Sequence, residues 1–450
     1  MALVQKRGSA DVIGLIEELK PRIPPFDPAA EDRLLEAIGT ARFALLGEAS
    51  HGTREFYGER IRITQRLILE KGCTAVAVEA DWPDAWRVNA YVRGRSDDPD
   101  ATAALSGFRR FPAWMWRNTQ VRDFVEWLRQ HNAMRGRQSQ VGFYGIDLYS
   151  LFTSIEAVLA YLDRTDPDAA RLARARYACF DHADGDSHAY GYGASYGLSP
   201  ACEEEAIQQL REMNRRVARL SGAAGLERED AFQAQQNARL VHNAEEYYRA
   251  MFRGRVSSWN LRDSHMVDTL QALDRHLSAS GPPPRIAVWA HNSHLGDASA
   301  TEMGDIGEWN VGQLMRDRYG EEAFLLGFST HRGLVTAASE WDEPPRRKRV
   351  REGLEDSWED VLHRCGVAHG LVLLRGDEAI KSLVGAPRLQ RAIGVIYRPE
   401  TERQSHYFHT RLANQFDALI HIDETNALEP LDTGAAWISG ESAETYPSGV

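Results

Sequence analysis

Three apolar runs, each ending on a carboxylate, constrain this chain more than any other feature. Phe43-Ala44-Leu45-Leu46-Gly47 runs into Glu48, Ala75-Val76-Ala77-Val78 into Glu79, and Val141 through Ile146 into Asp147. Helical patterns follow the first two, from Thr53 to Lys71 and from Asp81-Trp82-Pro83 to Val92. The second opens with Pro in the first turn, where its missing N–H is tolerated. Periodicity alone does not separate a short apolar run from buried helix, but short length and flanking glycines favour strands. Strands alternating with helices imply βαβ units and a mainly parallel sheet. In such a sheet chemistry sits at the carboxyl ends of the strands, where these acids stand.

The rest of the chain fills in around that sheet. Ala10–Leu19, Glu31–Ile38 and Val121–Asn132 read as helices, and Phe108 to Trp116 as a loop rich in Arg, Phe and Trp. From Ser150 to Ser280 strand signals nearly vanish, and helical periodicity dominates in Ile155–Leu162, Glu203–Leu220, Ala231–Phe252 and Leu261–Leu277. Within it, Phe180 to Gly193 reads as a polar, glycine-rich loop, either a lid over a site or a mobile surface loop. Pro282-Pro283-Pro284 marks the return to the sheet. Strands are expected at Ile286–Ala290, Phe324–Phe328, Leu371–Leu374, Ile393–Tyr397 and Ala418–Ile422, helices at Trp309–Tyr319 and Trp358–Arg364, a solvated basic turn at Pro344–Arg349 and a frayed tail at Ser439–Val450. The expected fold class is α/β, a mainly parallel central sheet flanked by helices. It is expected as one domain over 1–450, with a helical insertion over 150–280 above the active-site cleft.

Composition excludes some partners. With 53 basic against 65 acidic side chains the net charge is −12, which argues against nucleic acid, whose partners usually present a basic face. The N-terminus has no apolar core of a signal peptide, and no run approaches the roughly 18 apolar residues of a membrane span. Cys73, Cys179, Cys202 and Cys365 are scattered without a C-x-x-C pair, so they read as free thiols of a reducing compartment. The expectation is a soluble cytoplasmic protein with no membrane partner. The oligomeric state is not legible.

The chemistry concentrates in two similar segments. Leu45-Leu46-Gly47-Glu48-Ala49-Ser50-His51-Gly52 lays over Val288-Trp289-Ala290-His291-Asn292-Ser293-His294-Leu295. If both strands are parallel neighbours, His51 and His294 face one crevice, with Glu48 and His291 in matched positions. Glu79 and Asp147 join them from further strand ends. Singly, each has an ordinary structural reading: a hydrogen-bonded histidine, or an acid favouring a helix N-terminus. Together they form an acid–base set. A histidine titrating near 6.5 suits proton transfer at neutrality, and a neighbouring carboxylate can orient it. Arg60, roughly two turns beyond His51, is a candidate cation for an oxyanion. No serine sits in a G-x-S-x-G elbow, so an α/β-hydrolase nucleophile is not supported, and Ser50 and Ser293 stay as lesser alternatives. Histidines and carboxylates also bind zinc or manganese, so a metal-bound water stays open beside a histidine-activated one.

These residues resemble the erythromycin esterase family over nearly the whole length. The resemblance rests on Gly47-Glu48-x-x-His51-Gly52, Val78-Glu79-Ala80-Asp81-Trp82, Tyr144-Gly145-Ile146-Asp147, Trp259-Asn260-Leu261-Arg262-Asp263, His291-Asn292-Ser293-His294 and Ala392 through Glu400. It implies an α/β sheet with a helical portion over a deep cleft, similar to the ChaN and Tiki proteins. It implies hydrolysis of macrolide lactone esters. His51 matches the family's proposed base, and Glu48, Arg60, Glu79, His291 and His294 match its supporting residues. Family members differ in chelator sensitivity, so no cofactor is required by the resemblance and a divalent metal stays an alternative.

The reading is a hydrolase of carboxylic esters or lactones acting on a small molecule. His51 deprotonates water, Glu48 and Glu79 orient it, and His291, His294 and Arg60 bind the carbonyl oxygen or leaving group. Trp114, Trp116, Tyr190 and Asp147 are candidate substrate contacts. The alternatives are a metal-dependent hydrolase of another bond class and a non-catalytic small-molecule binder in the same cleft.

Overall fold

The computed structural model of the protein describes residues 12–220, 225–279 and 281–432. Its strands are β1 (Phe43–Leu46), β2 (Ala75–Asp81), β3 (Gly142–Asp147), β4 (Ile286–Trp289), β5 (Ala323–Ala337), β6 (Arg346–Val350), β7 (His369–Leu373), β8 (Arg388–Arg391), β9 (Tyr407–Thr410) and β10 (Ala418–Thr425). Among the described residues one eight-stranded sheet runs β3-β2-β4-β1-β5-β10-β7, with β6 added to the far end of β5. Every pairing from β3 across to β10 is parallel, whereas β7 and β6 run antiparallel to their neighbours. β8 and β9 form a separate ribbon. The fold class is α/β, as expected.

Alternation along the strands builds two cores. Ala44, Leu46, Val76, Val78, Ala287, Trp289, Phe324 and Leu326 face the helices Pro28–Ile38, Arg54–Glu70 and Thr119–Ala133. Phe43, Leu45, Ala75, Ala77, Ile286, Val288, Ala323 and Leu325 face the opposite way, toward Leu151–Thr165, Leu226–Ala250 and Arg255–Ser278. A sheet covered on both faces must be apolar at every position, and the central strands are buried throughout. The helical stretch expected after Ser150 is present. It begins with Leu151–Thr165, ends with Arg255–Ser278 and includes Pro167–Tyr177, which the sequence reading missed.

Several expectations are corrected. Ile393–Tyr397 is not a strand; its strand-like pairing is limited to isolated bridges from Ile393 to Ser50 and from Ile396 to Ala338. The basic segment at 344–349 is not simply a turn: its arginines lie on β6, paired with β5 and largely exposed. Phe180–Gly193 is not an open loop. It forms a 3-10 turn over Ala178–Ala183 and a helix over Ser187–Ser195 capped by Asp186. Cys179 and Cys202 are joined in a disulfide, with only Cys73 and Cys365 free among the described residues. Spacing along the chain could not reveal that pair, because chain folding brings their Cα atoms to 5.8 Å. The 439–450 tail and the first two residues of the Ala10–Leu19 helix lie outside the described residues. No described helix is long and apolar enough to cross a membrane.

Candidate active site

The register of the sheet assembles the site. Leu46 pairs with Trp289, and Trp289 with Val78, so Glu48 and His291 come level two residues beyond the ends of β1 and β4. Asp147 closes the row from β3, opposite Asp81. The two similar turns are bound to each other by the Asn292 N–H, which donates to the Glu48 carbonyl at 2.7 Å, and the Asn292 side-chain amide ties the second turn to β5 by donating to the Phe328 carbonyl at 2.8 Å. A side chain at Gly47 would collide with Asn292, so this close approach needs glycine.

His51 is held from behind. Its Nδ1 lies 3.0 Å from Glu48 Oε1, and the other Glu48 oxygen lies 3.1 Å from Arg60 Nη2. A carboxylate only accepts, so Nδ1 carries the proton and Nε2 is left bare toward the cleft. Arg60 is wholly buried, stacked 4.5 Å from the Tyr57 ring and 4.9 Å from Trp289. It does not line the cleft. The expectation that Arg60 contacts the carbonyl oxygen or leaving group is therefore corrected: it is shielded behind Glu48, on the helix face buried against the sheet.

His291 takes the opposite tautomer. The Ser293 N–H donates to its Nδ1 at 3.2 Å and the Ser293 hydroxyl lies 2.8 Å away, so the proton sits on Nε2, which faces the Ala49 backbone without forming a well-aligned hydrogen bond. Burial and the neighbouring His51 hold His291 well below the ordinary histidine range, against the pull of Glu79 and the Ala49 backbone. It is a neutral donor. The His51 and His291 rings stand 4.8 Å apart.

A charged network backs the far side. Arg262 donates Nε and Nη2 to the two oxygens of Asp147, at 3.0 and 2.8 Å, and Nη2 also to Glu79 Oε1 at 2.8 Å. The other Glu79 oxygen accepts the His291 N–H at 2.9 Å. His294 lies with Nε2 3.3 Å from Glu79 Oε1 and Nδ1 3.0 Å from both Asp263 oxygens, flat against Trp259. Burial opposes a charge on His294, but Asp263 and Glu79 lift its pKa to about 9. Burial likewise opposes the Glu79 charge, yet His294, His51 and Arg262 hold it well below the usual carboxylate range. Asp147 is kept low by Arg262 in the same way, against its own burial. Asp81 is pushed up by burial, against the pull of Arg110, whose Nε donates to it at 3.0 Å.

These groups open on a cleft of about 680 Å³, counting its mouth. His51, Glu79, His291, His294 and Asp147 line its polar floor, with Asp81, Arg110, Tyr149 and Arg262, which carried no role in the sequence reading. Arg262 stood in the motif Trp259–Asp263, and its spacing from the strand ends gave no sign that the helix returns to them. Phe108, Phe111, Met115 and Trp116 make the apolar wall. Two expected substrate contacts are corrected. Trp114 is fully buried in the core below that wall, because the 3-10 turn Ala113–Met115 sends it away from Trp116. Tyr190 is buried in the helical stretch, where its hydroxyl donates to Glu245 at 2.7 Å and accepts from the Cys202 N–H. Among the described residues no group of three or more His, Cys, Asp or Glu side chains is placed to hold a metal ion. The carboxylates of the cleft and its backing are engaged by arginines: Glu48 by Arg60, Asp81 by Arg110, and Glu79 and Asp147 by Arg262.

The erythromycin esterase family model matches residues 68–425. The chain belongs to the erythromycin esterase family. The match takes in Glu79, Asp147, Arg262, His291 and His294 and begins downstream of His51. A curated relative, erythromycin esterase type II of Escherichia coli, is 22% identical over 417 residues, 88% of this chain and 92% of that protein. Solved structures share the fold. A succinoglycan biosynthesis protein superposes with a TM-score of 0.72 at 20% identity, over 92% of this chain and 98% of its own. A Bacillus cereus protein gives 0.69 at 18% identity, over 94% and 99%. A mutant of the erythromycin esterase EreC in its open conformation gives 0.63 at 18% identity, over 91% and 96%. As an erythromycin esterase family member, the chain is a hydrolase of the esterase class acting on a small molecule.

Proposed function

We propose that the protein hydrolyses a carboxylic ester or lactone of macrolide type, with His51 as general base. The observation that carries this reading is the geometry at one cleft, with His51 Nδ1 held by the Glu48 carboxylate and, beside it, His291 Nδ1 accepting from the Ser293 N–H. His51 Nε2 takes a proton from water. The resulting hydroxide adds to the carbonyl carbon, and the oxyanion accepts from His291 Nε2–H. As the tetrahedral intermediate collapses, the ester C–O bond breaks and the His51 imidazolium returns the proton to the leaving alkoxide. Glu48 fixes the His51 tautomer and stabilises its cation, as the acid of a catalytic triad does. Arg60 holds Glu48. Glu79 fixes the His291 backbone, and the cation of His294 favours negative charge developing in the cleft. The apolar wall with Trp116 binds the carbon skeleton, and Asp147 acts through Arg262.

The test is hydrolysis of a macrolide panel read by mass spectrometry as addition of one water, on wild type and His51→Ala, with and without chelator. Turnover by wild type, lost in a folded His51→Ala and indifferent to chelator, is the expected result. Full turnover by His51→Ala sinks the assignment of the base. Loss to chelator and return with Zn²⁺ or Mn²⁺ replaces it with a metal-bound water.

A further inference from the structure

Resting on that esterase reading, we propose that Asp263 is a positioning residue for the reaction: it grips His294 through Nδ1 and so keeps a cation against the cleft beside the oxyanion donor His291. Asp263 is fully buried and does not line the cleft, so it touches no substrate and acts only through His294. Both its oxygens lie 3.0 Å from His294 Nδ1, and the Val311 N–H fixes Oδ1 at 2.9 Å. Trp259 sits one turn before Asp263 on the same helix face. Its ring stacks on His294 with centroids 4.5 Å apart and planes 8° from parallel. Carboxylate and indole thus leave the imidazole one orientation. The charged or titratable groups facing His294 are Glu79 from β2, Arg262 and Asp263 from the helix Arg255–Ser278, and His291 from its own turn. Arg262 Nη1, which can only donate, lies 3.2 Å from His294 Nε2 and opposes a second proton there, while Glu79 Oε1 at 3.3 Å favours one, so the charge on the imidazole depends on a carboxylate at Nδ1. Asp263 is that carboxylate. The resulting pair mirrors Glu48 and His51 across the cleft, but with the imidazole charged. Its effect is electrostatic: the proton still travels from water through His51 to the leaving alkoxide.

The experiment uses the full chain. Imidazole NMR signals of His294, assigned by their loss in His294→Gln, are titrated in wild type and Asp263→Asn, and pH–rate profiles are recorded for both. In wild type His294 is expected to titrate well above an ordinary histidine, and in Asp263→Asn its midpoint is expected to fall by a unit or more. The alkaline limb of the rate profile is expected to follow it. In that variant kcat is expected to drop about tenfold or more with little change in KM, because an orienting acid acts on the transition state. Asp263→Glu is expected to restore the alkaline limb. A wild-type His294 that titrates in the ordinary range overturns the proposal without any variant. So does an unmoved midpoint in a folded Asp263→Asn. The NMR arm needs no substrate: if wild type hydrolyses no ester while the His294 shift stands, it is the esterase reading that fails.

Discussion

His51 and His291 face each other with ring centroids 4.8 Å apart and planes tilted by 43°, and they carry their protons on opposite nitrogens. Glu48 accepts from His51 Nδ1, while Ser293 donates to His291 Nδ1. One imidazole presents a lone pair, the other a proton.

That asymmetry separates their variants. His51→Ala is expected to lower kcat by roughly 10²–10⁴-fold, the usual worth of a positioned base. His291→Ala is expected to cost about 10²–10³ in kcat with KM nearly unchanged, the signature of a lost oxyanion donor. Steady-state kinetics on an ester or lactone that wild type hydrolyses decides both. An unchanged kcat in folded His291→Ala refutes the donor role.

Arg60 is expected to matter for stability as well as rate. Its guanidinium is fully buried and paired with Glu48, itself buried. Removing one member of a buried pair strands the other charge, so Arg60→Met should destabilise by about 3–5 kcal/mol. A urea melt measures this, and a change below about 1 kcal/mol contradicts it.

Trp114 and Trp116 stand two positions apart and should behave differently. Trp114→Ala opens a core cavity and is expected to cost about 3–5 kcal/mol. Trp116→Ala is expected to raise KM, because that ring lines the cleft. Melts and kinetics on both variants form the comparison, and equal effects of the two on KM would refute it.

The His294 pair sets a pH dependence of stability. Its folded pKa, about 9, lies above the unfolded value near 6.5. The group's contribution is therefore complete below about pH 6.5 and is lost as pH rises toward about 9. Glu79 and Asp147 act the other way: their depressed pKa values stabilise above the unfolded carboxylate range and fail on acidification. Urea melts from pH 5 to 10 should show an alkaline decline that His294→Gln flattens.

Reduction of Cys179–Cys202 should loosen the helical stretch without touching the cleft. The bridge closes a separation of 23 residues. A loop of that size corresponds to about 3 kcal/mol in the chain-entropy model. Thermal melts with and without reductant test this, with kcat expected to stay the same at a temperature well below either transition.

The sheet and the polar floor of the cleft were legible because they are local. Apolar runs ending in Glu48, Glu79 and Asp147 mark parallel strands directly, and the matched His51 and His294 turns needed only adjacent strands. What stayed hidden depends on contacts distant in the chain. Arg262 reaches Asp147 across 115 residues and Cys179 finds Cys202 only through helix packing, so no spacing rule exposes either. Trp114 and Trp116 look equivalent in the sequence, and a single 3-10 turn makes one core and the other wall. Ile393–Tyr397 has a strand's composition, yet it is spent as a brace under the Ser50 turn.

The two cores have a mechanical consequence. His51 is moored through Glu48 and Arg60 to the helix Arg54–Glu70 on one face of the sheet, and His294 through Asp263 to Arg255–Ser278 on the other. The cleft is therefore a caliper whose jaws belong to different layers. A displacement of about 1 Å between layers can cost about 10²-fold in rate. Turnover becomes the more sensitive gauge of how the layers sit, and repacking either core, far from any reacting atom, should register in kcat before it registers in the melting temperature.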